Sequence, residues 1–294
     1  LLDNQVQQVL TNEFTIILEP YSKNTAPAIV CASLYASKEA SSEEIVVLIL
    51  PSDHLIKDEI IFQQAIDLGF EAAIKNKIVT FGIETTEALT GYGYIKKADR
   101  NEKGISEIED FIEKPSLTKA EVFLKDESYL WNSGIYMFKP KILFSEFSKK
   151  VIETCEKSVE KAETDLNFIR LDKQEFKNNP LISIDKAIME KTENSVVIPL
   201  KSSWIDVGSW SSVHKASQQD EDKNVFLGNI YSKETKNSYI RSDTRVVASI
   251  GMDGVIIIDT PDILLVSSMR TDQSVKEIAE KLQKDTLDKG SSNE

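Results

Sequence analysis

The chain has 294 residues, 41% hydrophobic and 28% charged, which is ordinary for a globular protein and enough for two domains with a buried core. Asp plus Glu number 48 and Lys plus Arg 35, a formal net charge of −13. That balance argues against non-specific nucleic-acid binding, but it leaves room for a small anion held by a divalent cation or a local basic cluster.

In chain order, the opening residues read as the end of a helix leading to a strand, Thr15 to Leu18 (TIIL). Leu1 falls in mid-element, so the expectation is that the true N-terminus lies upstream. The turn EPYSKNTAP leads into a helix from about Ala26 to Ala40, with Pro27 in its first turn and Asn24 or Thr25 as N-cap. The apolar run Ile45 to Leu50 (IVVLIL) ends in Pro51, Ser52, Asp53 and His54. A helix from about Asp58 to Lys75 follows, on the helical recurrence of Phe62, Ala65, Ile66, Gly69, Phe70, Ala73 and Ile74. Val79 to Ile83 is the next strand. Continuous apolar strands alternating with helices predict a parallel sheet covered on both faces.

Two strand-like stretches then flank a polar turn at Arg100 to Gly104, and Thr118 with Glu121 predicts a capping box for a short helix. Tyr129 to Phe138 (YLWNSGIYMF) is a strand with a polar centre. Pro140 opens a long amphipathic helix to about Ala162, Ser183 to Lys191 (SIDKAIMEK) a short helix, and Ser195 to Leu200 (SVVIPL) a strand running into SWIDVGSW. After about Asp222 only short strands and turns remain, the pattern of a small β-domain of stacked strands. A last helix runs from Asp272 to about Lys284 with Thr271 as N-cap, and the tail DKGSSNE is expected to fray.

No apolar run is long enough to span a bilayer and no signal-peptide pattern opens the chain, so a cytoplasmic protein is expected. Cys31 and Cys155 sit in apolar helical patterns as buried free thiols, and with two histidines they make no zinc cluster at a familiar spacing.

Several constellations have chemical meaning. Ligands of open α/β sheets bind beyond the carboxyl ends of the strands, and Asp53 stands just past such an end. A carboxylate there serves as a turn or cap residue, or as a Mg²⁺ ligand beside waters and phosphate oxygens. Asp206 also follows an apolar strand, with Gly208 beside it. If both strands share one sheet, the two acids converge on one ion. GYGYI, Gly91 to Ile95, pairs glycine backbone with aromatic rings, which suits a sugar as well as a β-bulge. It has neither the dinucleotide-binding nor the P-loop spacing.

FIEKP offers Glu113 for vicinal hydroxyls and Lys114 for a phosphate, on one side only if Pro115 breaks the strand. WNSG buries Asn132, which needs a partner. EPYSKNTAP sets Glu19, Asn24 and Thr25 before a helix N-terminus, where free N–H groups favour an anion or a base carbonyl. His54 reads as a hydrogen-bonding spacer.

In this order, the motifs EPxxxNTAPA, PSDH, TFGI, GYGYI, FIEKP, WNSG, SIDKAIMEK and WIDVGSW resemble those of the mannose-1-phosphate guanylyltransferases (GDP-mannose pyrophosphorylases), especially the bacterial type often fused to a mannose-6-phosphate isomerase domain. The resemblance covers nearly the whole chain. It implies an α/β fold: a Rossmann-like nucleotidyltransferase domain with a mostly parallel central sheet over residues 1–222, then a small left-handed β-helix-like segment and C-terminal helix over 223–294, used in dimer contacts. It implies transfer of guanylyl from GTP to mannose 1-phosphate, with Asp53 and Asp206 as Mg²⁺ ligands and Lys114 on the sugar phosphate. Gly91, Gly93, Glu113 and Asn132 become mannose contacts, and Glu19, Asn24 and Thr25 base contacts.

The family's glycine-rich signature, resembling GGxGxRLWPLSR, does not occur in these residues, and no isomerase segment follows the last helix. From that come three expectations: a missing N-terminal segment or a degenerate copy, slow catalysis by the chain as it stands, and an unpaired sheet edge that weakens the fold. The competing reading is a non-catalytic regulatory or partner subunit that binds nucleotide sugar. A glycosyltransferase would want a paired Asp-x-Asp, and PSDHL has one acid.

Overall fold

The computed structural model describes residues 2–9, 14–40, 44–99, 104–279 and 281–282. Contacts divide the chain into two units: Leu1–Pro51 with Asp58–Ser202, and Ser52–Lys57 with Ser203–Glu294. Composition changes near Asp222, whereas compaction divides the chain at Ser202.

In order, the elements of the first unit begin with α1 (Leu2–Val9), β1 (Ile16–Leu18), α2 (Thr25–Glu39) and β2 (Val47–Ile49). The chain then lends β3 (His54–Ile56) to the second unit and returns as α3 (Glu59–Ala73), β4 (Ile78–Glu84), β5 (Tyr94–Lys97), β6 (Ser106–Ile112), α4 (Leu117–Phe123) and β7 (Tyr129–Phe138). It continues through α5 (Pro140–Glu146), α6 (Lys149–Glu160), β8 (Glu163–Asp165), β9 (Phe168–Arg170), α7 (Lys173–Lys177), a π-helical turn (Asp185–Met189) and β10 (Ser195–Leu200).

Six strands form one sheet in the order β2-β7-β4-β10-β6-β5, with β5 also pairing β7. Only β4 and β10 run parallel; the other ladders are antiparallel. This corrects the expected mostly parallel sheet to a mixed one. A continuous apolar run reports that both faces are covered, not which way a neighbour runs. Here β7 enters between β2 and β4 antiparallel to both, and β2 is an edge strand. β1, β9 and β8 make a separate small sheet.

Helix α3 lies on β4, β7 and β10, and α2 packs on α5 and α6. The core joins Ile78, Ile95, Leu130, Phe138 and Val197 of the sheet to Ile188 and Met189 of the π turn and its N-cap Ile184. Each such side chain contributes about 1.5–3 kcal/mol of burial, so the π turn is anchored by its apolar face. Cys31 and Cys155 are buried free thiols, as expected.

Two local expectations change. Ser116, not Thr118, is the N-cap of α4, and it makes no side-chain cap bond. The long helix from Pro140 breaks at Phe147 and Ser148, whose backbone is extended, leaving α5 and α6.

In the second unit β3 pairs antiparallel with β11 (Trp204–Asp206), followed by α8 (Trp210–Ala216). Then come β12 (Val225–Leu227), β13 (Ile230–Lys233), β14 (Tyr239–Ser242), β15 (Val247–Ile250), β16 (Val255–Asp259) and β17 (Leu264–Ser268). β12, β14 and β16 stack in parallel, as do β13 and β15, and β17 closes antiparallel on β16. These are successive turns of a β-coil. Val225, Tyr239, Ile256 and Ile258 fill it, with Trp210 and Val213 of α8 against them. A 3₁₀ turn (Asp272–Ser274) starts the last helix without a side-chain cap from Thr271. The polar turn at residues 100–103, the end of the last helix and the tail at 288–294 lie outside the described residues.

Candidate active site

Each unit holds a group of the candidate residues, built by different means. In the second unit the β3–β11 ladder sets His54 opposite Asp206, and the Asp53 carbonyl accepts the Val207 amide at 2.8 Å. Ligand atoms of Asp53, His54 and Asp206 thereby come within 4.8 Å of one another. Convergence of the two acids was expected from two strands of the main sheet. β2 and β10 do share that sheet, but the acids themselves meet on a separate two-stranded ribbon. Three-residue strands such as HLI and WID show too little alternation to be read beforehand.

The donor set tells which cation suits the group. Trp204 Nε1 donates to His54 Nδ1 at 3.2 Å, with the rings edge to face at 5.0 Å. Indole N–H is a donor only, so Nδ1 is an acceptor and the neutral ring carries its proton on Nε2. Burial pushes the His54 imidazole down, outweighing the pull of the Asp206 and Asp53 carboxylates. Nε2 lies 3.9 Å from Asp53 Oδ1, and with that proton on it has no lone pair for a metal.

What remains is two carboxylates. Asp53 is 59% exposed, and Asp206 has Oδ1 fixed by the Gly208 amide at 2.8 Å. A pair of hard oxygen donors open to water fits Mg²⁺-like cations better than zinc, which favours nitrogen and sulfur. A Cβ on Gly208 would lie 2.9 Å from that same Oδ1, so a larger residue there must push the carboxylate aside.

In the first unit the strand break at Pro115 is realised. β6 ends at Ile112, and Lys114 takes a left-handed backbone, φ 48°. An ordinary residue held there is strained. The turn puts Glu113 and Lys114 on one side, Nζ 3.8 Å from Oε1, with Lys114 64% exposed. Burial, then the Asp185 charge, pushes the Glu113 carboxyl up.

Gly93 faces both sugar-site candidates: a Cβ there would lie 2.8 Å from Glu113 Oε2 and 3.3 Å from Asn132 Cβ. A Cβ on Gly91 would meet open space instead. The two tyrosines of GYGYI form no sugar wall as a pair. Tyr94 is fully buried and bonded to Leu89, and Tyr92 stacks edge-on to Trp131.

Asn132, only 8% exposed, is tied on three sides. Its amide nitrogen donates to Asp185 Oδ1 and to the Tyr136 hydroxyl, both at 2.9 Å, and its carbonyl accepts from Thr80 at 3.0 Å. Tyr136 donates to the same Asp185 oxygen at 2.5 Å. Asp185, Tyr136 and Thr80 escaped sequence reasoning: an acid opening a short helix looks like a cap, and Thr80 and Tyr136 look like ordinary strand residues.

Of the candidate base contacts, Asn24 caps α2 by accepting the Thr25 amide at 2.8 Å, with φ 66°. Thr25 Oγ1 accepts the Ile184 amide at 3.0 Å. Both side chains therefore also hold the loop, and Thr25 is laced to the segment carrying Asp185. Burial pushes the Glu19 carboxyl up.

Relatives with names stand close in sequence. Mannose-1-phosphate guanylyltransferase RfbM of Salmonella typhimurium is 39% identical over 287 residues, 97% of this chain and 60% of the relative. Xanthan biosynthesis protein XanB of Xanthomonas campestris pv. campestris (strain B100) is 40% identical over 281 residues, 95% of this chain and 59% of the relative. The chain thus spans about 60% of the length of the curated relatives it matches. A crystal structure described as mannose-1-phosphate geranyltransferase from Thermus thermophilus superposes with a TM-score of 0.77 at 30% identity, covering 90% of this chain and 77% of that one. Residues 228–282 match the MannoseP isomerase/GMP-like beta-helix domain, in agreement with the β-coil. Residues 2–223 match the model of the nucleotidyl transferases, and the chain belongs to that family.

Proposed function

We propose that this protein transfers a guanylyl group from GTP to mannose 1-phosphate, giving GDP-mannose and pyrophosphate. The observation that carries the reading is the turn at Glu113 and Lys114. It sets a carboxylate that accepts from hydroxyls beside an exposed ammonium 3.8 Å away, the two groups a sugar phosphate needs. The names of relatives supply the mannose and the guanine.

In the reaction a sugar phosphate oxygen attacks the α-phosphorus of the nucleotide. One P–O bond forms as the bond to the β-phosphate oxygen breaks, and pyrophosphate leaves in line. The nucleophile is already ionised, so no general base is needed, and His54 can stay a neutral spacer. Lys114 neutralises and orients the attacking phosphate. Glu113, Asn132 and the backbone at Gly91 and Gly93 hold the sugar. Glu19, Asn24 and Thr25 select the base. Asp53 and Asp206 hold Mg²⁺, which when bound supplies positive charge to phosphate oxygens. Residues 1–222 form the catalytic domain and residues 223–294 the β-coil and last helix. Tyr231 and Ile250 are exposed on the paired strands β13 and β15 of the coil, apolar surface that a homodimer would bury. Among the described residues no helix is long and apolar enough to cross a membrane, and we place the reaction in the cytoplasm.

The test is pyrophosphate release by the full-length protein across four nucleotides and several sugar 1-phosphates, with and without Mg²⁺. Turnover is expected with GTP and mannose 1-phosphate when the cation is present. Absence of turnover with every pair overturns the reading.

A further inference from the structure

The π turn of SIDKAIMEK has no role among the contacts assigned so far. Its residues Ile188 and Met189 and its N-cap Ile184 are locked in the core, yet the acid that opens it and the acid that caps its end both reach the sugar cradle. Asp185 Oδ1 takes the amide of Asn132 and the hydroxyl of Tyr136. Glu190 Oε1 takes the backbone amide of Glu113 at 3.3 Å. The amide of Glu190 bonds back to the Asp185 carbonyl five residues earlier. An ordinary α-turn does not close at that spacing, and π turns recur at functional sites.

The hydrogen-bond accounting at Asn132 is nearly closed. A primary amide has two hydrogens and two carbonyl lone pairs. Both hydrogens go to Asp185 and Tyr136, and one lone pair faces the Thr80 hydroxyl, whose single proton is shared with the Ile135 carbonyl at the same 3.0 Å. Rotating the amide by half a turn would aim its carbonyl at the Asp185 carboxylate, oxygen against oxygen. Asp185 therefore fixes which way the amide points. One lone pair of the amide carbonyl is left over, and Asn132 and Glu113 Oε2 both border Gly93.

We infer that Asp185 is a positioning residue of the sugar site: through Asn132 it makes the cradle an array of hydrogen-bond acceptors, which selects a ligand by the O–H groups it donates. The inference rests on the proposed function for the identity of that ligand, and on this structure for the lock.

The experiment uses the full-length protein with the variants Asp185→Ala, Asp185→Asn, Asn132→Ala and Asp185→Ala/Asn132→Ala. Losing a bond to a charged partner costs about 10- to 100-fold. Asp185→Ala should raise the KM for the sugar 1-phosphate by that factor, with the KM for nucleotide unchanged within about threefold. Asp185→Asn keeps an acceptor oxygen and should recover most of the loss. In the Asn132→Ala background the Asp185→Ala change should add nothing, since it acts through the missing amide. A deoxyfluoro sugar 1-phosphate, acceptor-only at the contacted position, should be rejected by the parent and less so by Asp185→Ala.

Full additivity of the two alanine changes, or equal losses in both KM values, overturns the inference. The side-chain amide signals of Asn132 in a ¹⁵N spectrum give a second readout that needs no turnover. Asp185→Ala should shift them and speed their exchange with water, and unchanged signals overturn the lock. A parent without activity on any sugar 1-phosphate sinks the functional reading and the ligand named here, while the amide signals still decide whether Asp185 holds Asn132.

Discussion

Two carboxylate sites of the second unit make opposite use of the same side chain. On the β3–β11 ribbon Asp53 is open to water, and Asp206 Oδ1 accepts the Gly208 amide. In the β-coil the Asp259 side chain is fully buried. Its Oδ2 accepts from Ser242 Oγ, Thr244 Oγ1, and the amides of Thr244 and Arg245, and Arg245 Nε sits 2.8 Å from Oδ1. A buried carboxylate gripped by its own loop is a structural tie, whereas one open to water can take a ligand. Sequence position does not separate them, since both follow apolar strands.

The comparison breaks most sharply under mutation. Asp53→Ala or Asp206→Ala should each lower cation-dependent turnover of the full-length protein by about 10²–10³-fold, the scale of losing one electrostatic group at a reacting phosphate. Melting temperature should hold. Near-parental turnover in either variant removes that acid from the site.

Gly208→Ala tests the ribbon more gently. A Cβ 2.9 Å from Asp206 Oδ1 must displace the carboxylate, and outer-shell changes of this kind cost about 10–100-fold in metal affinity. Titration with Mn²⁺ followed by electron paramagnetic resonance reads that affinity directly, and parental affinity in Gly208→Ala would show that the turn has slack.

Asp259→Asn should do the reverse: lower the thermal stability of the coil with turnover per folded molecule unchanged. An amide there presents hydrogens to a ring of donors. Loss of activity without loss of stability would erase the distinction between the two acids.

The smallest effect is in pH. Bonds from Thr244, Ser242 and Arg245 hold the Asp259 carboxyl down to about 2, against the opposing push of burial. An acid depressed on folding lends stability that is full above its unfolded value of about 3.9. That stability is lost as pH falls through the folded value. Circular dichroism between pH 5 and 2 should show the coil weakening across that window in the parent. The same window should be flat in Asp259→Asn.

Legibility followed length and periodicity. β7 and β10 run over the residues read from the sequence, Tyr129–Phe138 and Ser195–Leu200, because long apolar runs bounded by turn residues have few alternatives. β3, β8, β9 and β11 were not legible, at three residues each. The break at Pro115 was legible because proline has no N–H to give a strand ladder. The π turn was not, since five residues with an acid at the start carry no π signature. Thr80, Tyr136 and Asp185 looked like ordinary strand or cap residues, and their joint hold on Asn132 spans residues 80 to 185 of the chain.

Residue order alone carries the alternation of α and β segments, the change to a β-coil near Asp222, the buried thiols, and the acids, amide and lysine with chemistry to offer. Those follow from local periodicity and from side-chain type, which neighbours in sequence define. The mixed direction of the sheet, the ribbon that joins Asp53 to Asp206, and the lock on Asn132 arise from pairings between distant segments. Hydrogen-bond valence is satisfied in space, so no local pattern can state which partner meets it.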